Sequence, residues 1–155
     1  MKWWVDGSYG IHLDARIQTG GTASLGKGSF ISTSIKQRLN TRSSTETELI
    51  AADDLMNHLC WTNYFLECQG YNINSTIMYQ DNQSAILIEN NGRASSSKRT
   101  KHLNIRYFFI TDQIKKGDLR IEYCPTNSMV ADFFTKPLQG KKFLQFRKVI
   151  MNLQD

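Results

Sequence analysis

The sequence has no apolar run close to the roughly 20 residues that a helix needs to cross a bilayer. Its start shows no secretory pattern of basic, apolar and small-residue regions. Only three cysteines are present, Cys60, Cys68 and Cys124, and none belongs to a Cys-x-x-Cys pair. This count argues against a disulfide framework and against a zinc site. Together these absences predict a protein of a reducing, intracellular compartment with no membrane partner.

The sequence also has no large charge imbalance: its 155 residues carry a net charge of +5. A basic surplus of this size weakly favours a polyanionic partner, and a basic domain without such a partner remains an alternative at this point. The 40% apolar and 21% charged content is typical of a globular domain with a real core. Residues 1–155 are therefore interpreted as one domain, and the strand directly after Met1 is typical of a domain excised from a longer chain.

Apolar runs, turn residues and helix-capping signals predict an α/β fold with the order β-β-β-α-β-α-α-β-α-α. The first three strands are expected to be antiparallel, and Gly26 to Gly28 are expected to join the second and third as a hairpin. Asn127 or Ser128 is the expected cap of the short helix that follows strand five. The predicted strands cover residues 2–6, 22–26, 29–35, 77–79 and 119–124; the predicted helices cover 44–69, 85–88, 104–117, 127–136 and 140–152; residues 90–102 are expected to form a basic, serine-containing loop.

Two acidic residues follow apolar strands directly: Asp6 ends the first strand, and Asp81 ends the fourth in the stretch "YQDNQSA". Strand ends that turn into helices often carry the chemistry of α/β proteins. A third acid, Asp132, lies in the short helix after the fifth strand. The order of the elements allows these carboxylates to meet at one edge of the sheet.

The long helix offers two candidates for a further acid at this edge, Glu46 and Glu48, and helical geometry separates them. Steps of four, seven and eleven residues from Glu48 reach Ala52, Leu55 and Leu59, an apolar stripe that must face the sheet. The same steps from Glu46 reach mostly polar residues. Glu48 is therefore expected to point inward, and Glu46 to face solvent or support the helix dipole.

Four carboxylates in one place would repel each other without cations. Hard oxygen ligands without cysteine or histidine suit Mg²⁺ or Mn²⁺ rather than zinc. Two such ions at about 3.5–4 Å are a common device for phosphodiester hydrolysis. The alternative for each acid taken alone is a cap or a turn residue.

The stretches "WVDGSY", "SSTETELIAA", "YQDNQSA" and "NSMVADFFTKPL" resemble, in this order and spacing, the type I ribonuclease H fold. Together with "SKRTKH" they resemble more narrowly the ribonuclease H domain of the Pol polyprotein of Copia-type (Pseudoviridae) long-terminal-repeat retrotransposons. The resemblance covers essentially the whole chain. It implies a five-stranded mixed sheet flanked by helices, with three antiparallel strands followed by parallel ones. It also implies hydrolysis of the RNA strand of RNA–DNA hybrids during reverse transcription, an upstream polymerase domain in the same polyprotein, and a cytoplasmic retrotransposon particle.

The resemblance assigns metal binding and catalysis to Asp6, Glu48, Asp81 and Asp132, with two Mg²⁺ ions that Mn²⁺ can replace. It places nucleic-acid contacts at Ser43, Ser44, Thr45, Asn82 and Gln83. Gly7 and Ser8 are further candidates, because selecting RNA requires contacts with 2′-hydroxyl groups.

Basic residues in the loop at 90–102 are expected to contact phosphates, with a solvated loop as the alternative. They include Lys98, Arg99 and Lys101. Many relatives carry a histidine in the loop before the last aspartate, but the corresponding "CPTNS" has none. His102 is the one candidate substitute, with helix capping as its alternative.

Six phenylalanines at helical spacing are interpreted as core, and Trp3 and Trp4 must face opposite sides of their strand. The phenylalanines are Phe108, Phe109, Phe133, Phe134, Phe143 and Phe146. One of the two tryptophans is a candidate contact with an upstream domain. Two rival functions remain: a catalytically silent module of the same fold that binds hybrid or a polymerase, and a DNA-strand-transfer enzyme, which the position of the first helix disfavours.

Overall fold

A computed structural model describes residues 1–9, 16–37, 40–92 and 104–154, without the side chains of 104–107. In these residues, one sheet has the strand order β3-β2-β1-β4-β5. The strands are β1 (Lys2–Ser8), β2 (Gln18–Ser24), β3 (Ile31–Lys36), β4 (Ile77–Gln80) and β5 (Arg120–Tyr123). β2 pairs antiparallel with β1 and with β3, whereas β4 pairs parallel with β1 and with β5. The predicted five-stranded mixed sheet is confirmed.

The described helices follow the predicted order. They are α1 (Ser44–Cys68), α2 (Gln83–Asn91), α3 (Asn104–Lys116), α4 (Asp132–Thr135) and α5 (Gly140–Met151), with a 3₁₀ turn at Thr126–Ser128. Among the described residues, no helix combines the length and the apolar character needed to span a membrane.

Helix α1 has clear local causes for its ends and for its orientation. The Ser43 hydroxyl accepts the Glu46 N–H at 3.2 Å, which caps the first turn, and Gly70, at φ 84°, follows the last turn. The stripe that includes Ala52, Leu55 and Leu59 is buried against β1 and β2, as the helical spacing predicts.

Strand β2 begins at Gln18, four residues before the predicted start at residue 22. Gly20 and Gly21, which have the character of turn residues in the sequence, lie inside the strand instead. A Cβ atom on Gly20 would lie 2.4 Å from Thr135 Cγ2, and one on Gly21 would lie 2.1 Å from Leu55 Cδ1. The glycines are therefore needed because helices α4 and α1 press on this strand, and the local sequence contains no trace of that contact.

The expected helix across residues 127–136 is in fact two short elements. Asn127 and Ser128 belong to the 3₁₀ turn, and α4 begins only at Asp132, after Ala131. Neither Asn127 nor Ser128 caps α4, so that prediction is wrong. The backbone of Met129 is extended, with φ −75° and ψ 91°, and this interrupts a continuous helix; Met129, Val130 and Ala131 are buried between the two elements.

The aromatic prediction is confirmed only in part. Phe146 is buried, but Phe109 and Phe143 are 41% and 36% exposed. Trp3 and Trp4 do face opposite sides: Trp3 is fully buried, and Trp4 stacks on Tyr79 with ring centroids 5.4 Å apart.

Candidate metal centre

The parallel pairing of β1 with β4 brings two acids together. Trp4 is aligned with Tyr79, so two residues further along each strand the register places Asp6 beside Asp81. Asp6 is still inside β1, and Asp81 is the first residue after β4. Both carboxylates therefore lie at the same edge of the sheet, where the sequence predicts them.

The first turns of α1 bring Glu48 to the same edge. Glu48 Oε2 accepts the Gly7 N–H at 3.1 Å, which ties the helix to the end of β1. A Cβ atom on Gly7 would lie 2.7 Å from Thr47 Cγ2, so this close approach requires glycine. Carboxylate oxygens of Asp6, Glu48 and Asp81 all lie within 4.8 Å of one another. We call these three residues the carboxylate trio.

The electrostatics of the carboxylate trio favour a cation. Burial, then the charges of Asp6 and Asp81, raise the pKa of Glu48 well above its usual range. Burial also raises the pKa of Asp6, although Lys136 and the Thr135 hydroxyl act in the opposite direction. Bound divalent cations would lower the energy of the ionised forms, and an all-oxygen donor set fits Mg²⁺ or Mn²⁺.

Asp132 has different surroundings, although it is equally buried. Its Oδ1 accepts from Lys136 Nζ at 2.5 Å, and its Oδ2 accepts from Lys142 Nζ at 2.7 Å. Lys136 Nζ also lies 3.3 Å from Asp6 Oδ1. Burial lowers the pKa of Lys136, but Asp6 and Asp132 outweigh it, and the pKa is raised overall. The structure thus brings three of the four predicted acids within shared ligand distance and connects Asp132 to them through a lysine. Metal binding by Asp132 remains a prediction.

Hydroxyl groups orient the remaining carboxylate oxygens. The Thr135 hydroxyl donates to Asp6 Oδ2, and the Thr126 hydroxyl donates to Asp81 Oδ2 at 3.0 Å. Sequence reasoning missed these threonines together with Lys136 and Lys142. A signal existed for Lys136, because it lies four residues after Asp132, which is the spacing of a helical ion pair.

The two glutamates in the first turns of α1 differ less than the helical argument predicts. Glu48 faces inward and is buried, as expected. Glu46 is buried as well, at 7% exposure, so solvent exposure is the wrong one of its two predicted alternatives, and a place in the first turn, where an acid supports the helix dipole, is the other. Its carboxylate accepts the Arg42 N–H at 2.8 Å, which stabilises the start of the helix.

The predicted nucleic-acid contacts surround the carboxylate trio on two helix starts. Ser43 is the N-cap of α1, and Ser44 and Thr45 begin that helix. Asn82 caps α2 by accepting from the backbone N–H groups of Ser84 and Ala85, and Gln83 begins α2. Gly7 and Ser8 end β1. Lys98, Arg99, Lys101 and His102 lie outside the described residues, so their predicted roles are not tested here.

No protein-family model matches the chain. The chain is 31% identical over 144 residues to the retrovirus-related Pol polyprotein from transposon TNT 1-94 of Nicotiana tabacum, covering 92% of the chain and 11% of that protein. It is 33% identical over 116 residues to the corresponding polyprotein from transposon RE2 of Arabidopsis thaliana, covering 74% of the chain and 8% of that protein. The chain thus spans about a tenth of the length of these relatives.

Solved structures with the same fold include ribonuclease H proteins. LC11-RNase H1 in complex with RNA/DNA hybrid superposes with a TM-score of 0.59 at 12% identity, covering 86% of this chain and 92% of the other. The protease-reverse transcriptase of prototype foamy virus superposes with a TM-score of 0.52 at 10% identity, covering 96% of this chain and 19% of the other. The chain therefore belongs by sequence with a segment of the retrovirus-related Pol polyproteins of plant transposons, and by fold with the ribonuclease H domains.

Proposed function

We propose that the chain is the ribonuclease H domain of a Copia-type retrotransposon and hydrolyses the RNA strand of RNA–DNA hybrids with the help of Mg²⁺. The observation that carries the proposal is the carboxylate trio, whose oxygens lie within 4.8 Å of one another. The kinship to Pol polyproteins and the ribonuclease H fold support the same activity.

The protein's contribution to such a reaction is to hold three carboxylates in one place. Divalent ions bound there would activate a water molecule and stabilise the departing 3′ oxygen. The Gly7 N–H orients Glu48, the Thr126 hydroxyl orients Asp81, and the Thr135 hydroxyl orients Asp6. If Asp132 serves a second ion, Lys136 and Lys142 must first leave its oxygens.

Substrate contacts are proposed at the two helix starts that surround the carboxylate trio. Ser44 and Gln83 are exposed there, and the first backbone N–H groups of a helix favour phosphate. The net charge of +5 supports a polyanionic substrate. An upstream polymerase domain in the same polyprotein is the proposed partner, because the chain matches 19% of a protease-reverse transcriptase. A cytoplasmic retrotransposon particle remains the expected location.

The test is cleavage of a hybrid with labelled RNA by the 155-residue chain. We expect cleavage with Mg²⁺ or Mn²⁺, none after EDTA treatment, and no cleavage of duplex DNA under the same conditions. Ca²⁺ should permit hybrid binding but not turnover, because its larger and looser coordination shell does not reproduce the geometry of Mg²⁺. Cleavage that persists in EDTA would refute the metal-dependent mechanism.

The ion pairs of Asp132 favour one alternative, a catalytically silent module that binds hybrid or a polymerase. Both oxygens of this carboxylate already bind lysine ammonium groups. The alternative predicts that the chain binds hybrid but does not cleave it in either Mg²⁺ or Mn²⁺, even when all of the hybrid is bound. The same cleavage assay, run beside a binding measurement, therefore separates the two functions.

A further inference from the structure

Glu89 of α2 is a fully buried carboxyl group outside the carboxylate trio. Its Oε1 accepts from Gln80 Nε2 at 3.0 Å, and Gln80, the last residue of β4, is fully buried too. A buried ionised carboxylate normally requires a cation or several hydrogen bonds. In the described part of the chain, Glu89 has one side-chain hydrogen bond and no cation.

The two side chains that share this hydrogen bond each keep one unsatisfied oxygen. Glu89 Oε2 and Gln80 Oε1 are both buried without a hydrogen-bond partner among the described residues. A buried acceptor without a partner loses its hydrogen bond to water and gains none in return, which destabilises the folded protein. Since both unsatisfied atoms are acceptors, no rotation of the two groups can satisfy them. One proton on Glu89 Oε2, donated to Gln80 Oε1, would satisfy both.

Among the described side chains, charged groups on the neighbouring elements do not oppose that proton. Burial raises the pKa of Glu89 to about 8, and the hydrogen bond from Gln80 offsets only part of this rise. Around α2, the helices α1 and α3 contribute Leu49, Ile50 and Phe108 to an apolar cluster. Other described acids on α1, on α3 and in the β4–α2 turn are bonded to other groups: Glu46 to the Arg42 N–H, Glu48 to the Gly7 N–H, Asp54 to the Thr19 hydroxyl, Asp112 to Lys116, and Asp81 to the Thr126 hydroxyl. Arg120 and Glu122 are exposed on β5.

We propose that Glu89 is protonated in the folded protein and forms a two-hydrogen-bond acid–amide pair with Gln80, which acts as a positioning device for the β4–α2 turn. In this pair, Gln80 Nε2 donates to Oε1 of the acid, and the acid donates its Oε2 proton to Gln80 Oε1. When the pH rises, the proton leaves to solvent, one of the two bonds is lost, and a charge remains buried.

The pair links the two elements on either side of Asp81, a member of the carboxylate trio. Only Asp81 and Asn82 lie between the end of β4 and the start of α2. Gln80 fixes the strand side of this turn, and Glu89 fixes the helix side. The Gln80–Glu89 contact therefore fixes both ends of the turn that contains Asp81. The consequence for metal binding rests on the proposed function, whereas the acid–amide pair does not.

The main test compares wild type with Glu89→Gln in melting curves from pH 5 to pH 9. Glutamine keeps both hydrogen bonds, because its amide can donate to Gln80 Oε1, and it does not titrate. The folded pKa of about 8 exceeds the ordinary 4.5, so the contribution of Glu89 to stability is full below pH 4.5 and is lost as the pH rises to about 8. Relative to wild type, Glu89→Gln should gain about 3–5 °C per pH unit across this window and level off above it.

The exposed Glu67→Gln variant serves as the matched control and should show a constant difference from wild type. Glu48 and Asp6, the other buried acids whose pKa values are raised, are present in all three proteins and cancel in the comparison. A constant difference for Glu89→Gln would overturn the proposal. Carbon-13 NMR of the Glu89 carboxyl group decides the same point without a variant: a neutral carboxyl at pH 6.5 is expected, and an ionised one would refute the pair.

A second measurement tests the positioning role through the rise in melting temperature on addition of Mg²⁺ at pH 6.5. Glu89→Leu removes the pair and should reduce that rise, whereas Glu89→Gln should restore it. An equal rise in all three proteins would refute the positioning role. If Mg²⁺ does not stabilise even the wild type, the proposed metal site fails, and the pH comparison still decides the acid–amide pair.

Discussion

The carboxylate trio and Asp132 are two parts of one acidic cluster with opposite charge balance. Glu48 and Asp81 bind an N–H and a hydroxyl, and neither has an ion pair among the described residues. Asp132 has two lysine ammonium groups within 2.7 Å. Asp6 and Asp132 are the same residue type and are equally buried, yet Asp132 binds two lysine ammonium groups, whereas Asp6 shares only one of them at 3.3 Å. The difference indicates that identical acids in a motif need not have identical roles.

The largest expected effect is on cleavage and concerns the trio itself. Asp81→Asn should reduce the rate of hybrid cleavage by roughly 100-fold or more, because a lost metal ligand removes several kcal/mol of transition-state stabilisation. Hybrid binding should change little. The control is Glu46→Gln, which keeps an acceptor for the Arg42 N–H and should remain within a few-fold of wild type. An equal loss of cleavage rate in both variants would show that the metal-binding residues have been assigned incorrectly.

The second effect concerns stability on the Asp132 side. Asp132→Asn removes the charge that balances Lys136 and Lys142, so it should lower the free energy of unfolding by about 1–3 kcal/mol. The measurement is thermal or urea unfolding in EDTA at neutral pH. Asp112→Asn, which breaks an exposed ion pair with Lys116, is the matched control and should destabilise the protein much less than Asp132→Asn, because solvent screens exposed ion pairs. A stabilised Asp132→Asn protein would contradict the proposed balance.

The third effect is stabilisation by metal. At ten times its Kd, Mg²⁺ should raise the free energy of unfolding of the wild type by about 1.4 kcal/mol. Lys136→Met removes a cation that lies 3.3 Å from Asp6, so Mg²⁺ should bind this variant more tightly than wild type. Titration calorimetry measures both affinities. Weaker binding by Lys136→Met would indicate that this lysine supports the metal site instead of competing with it.

The smallest expected effect is a gain in stability, whereas most substitutions at buried positions reduce stability. Burial and neighbouring charge raise the pKa of Glu48, so its ionised form costs stability at neutral pH. Glu48→Gln keeps an acceptor for Gly7 and should melt slightly higher than wild type in EDTA. The gain should disappear in acid, where wild-type Glu48 is protonated in both folded and unfolded states. A gain that does not depend on pH would have another cause.

The sequence predicts the parts of this molecule that local patterns determine. Helix α1 follows from its apolar stripe and its caps, and the meeting of Asp6 with Asp81 follows from acids placed at the ends of two apolar strands. The start of β2 at Gln18 could not be predicted, because Gly20 and Gly21 are required by helices distant in the chain. The errors at Glu46 and Asn127 have local causes instead: the Glu46 carboxylate accepts the Arg42 N–H, and the extended backbone at Met129 separates the 3₁₀ turn from α4. The pairing of Asp132 with Lys142 spans ten residues and two helices, which no periodicity indicates.

Three glycines near the carboxylate trio should tolerate substitution poorly. Gly7, Gly20 and Gly21 contact Thr47, Thr135 and Leu55 so closely that even a methyl group would not fit. A saturation scan of viability should therefore show these glycines to be as intolerant as the carboxylates, although they perform no chemistry. Substitutions of Gly21, however, should reduce the amount of folded protein, whereas substitutions of Asp81 should leave the protein folded but inactive. Protein abundance, measured beside viability, thus distinguishes positions that shape the site from positions that act in it.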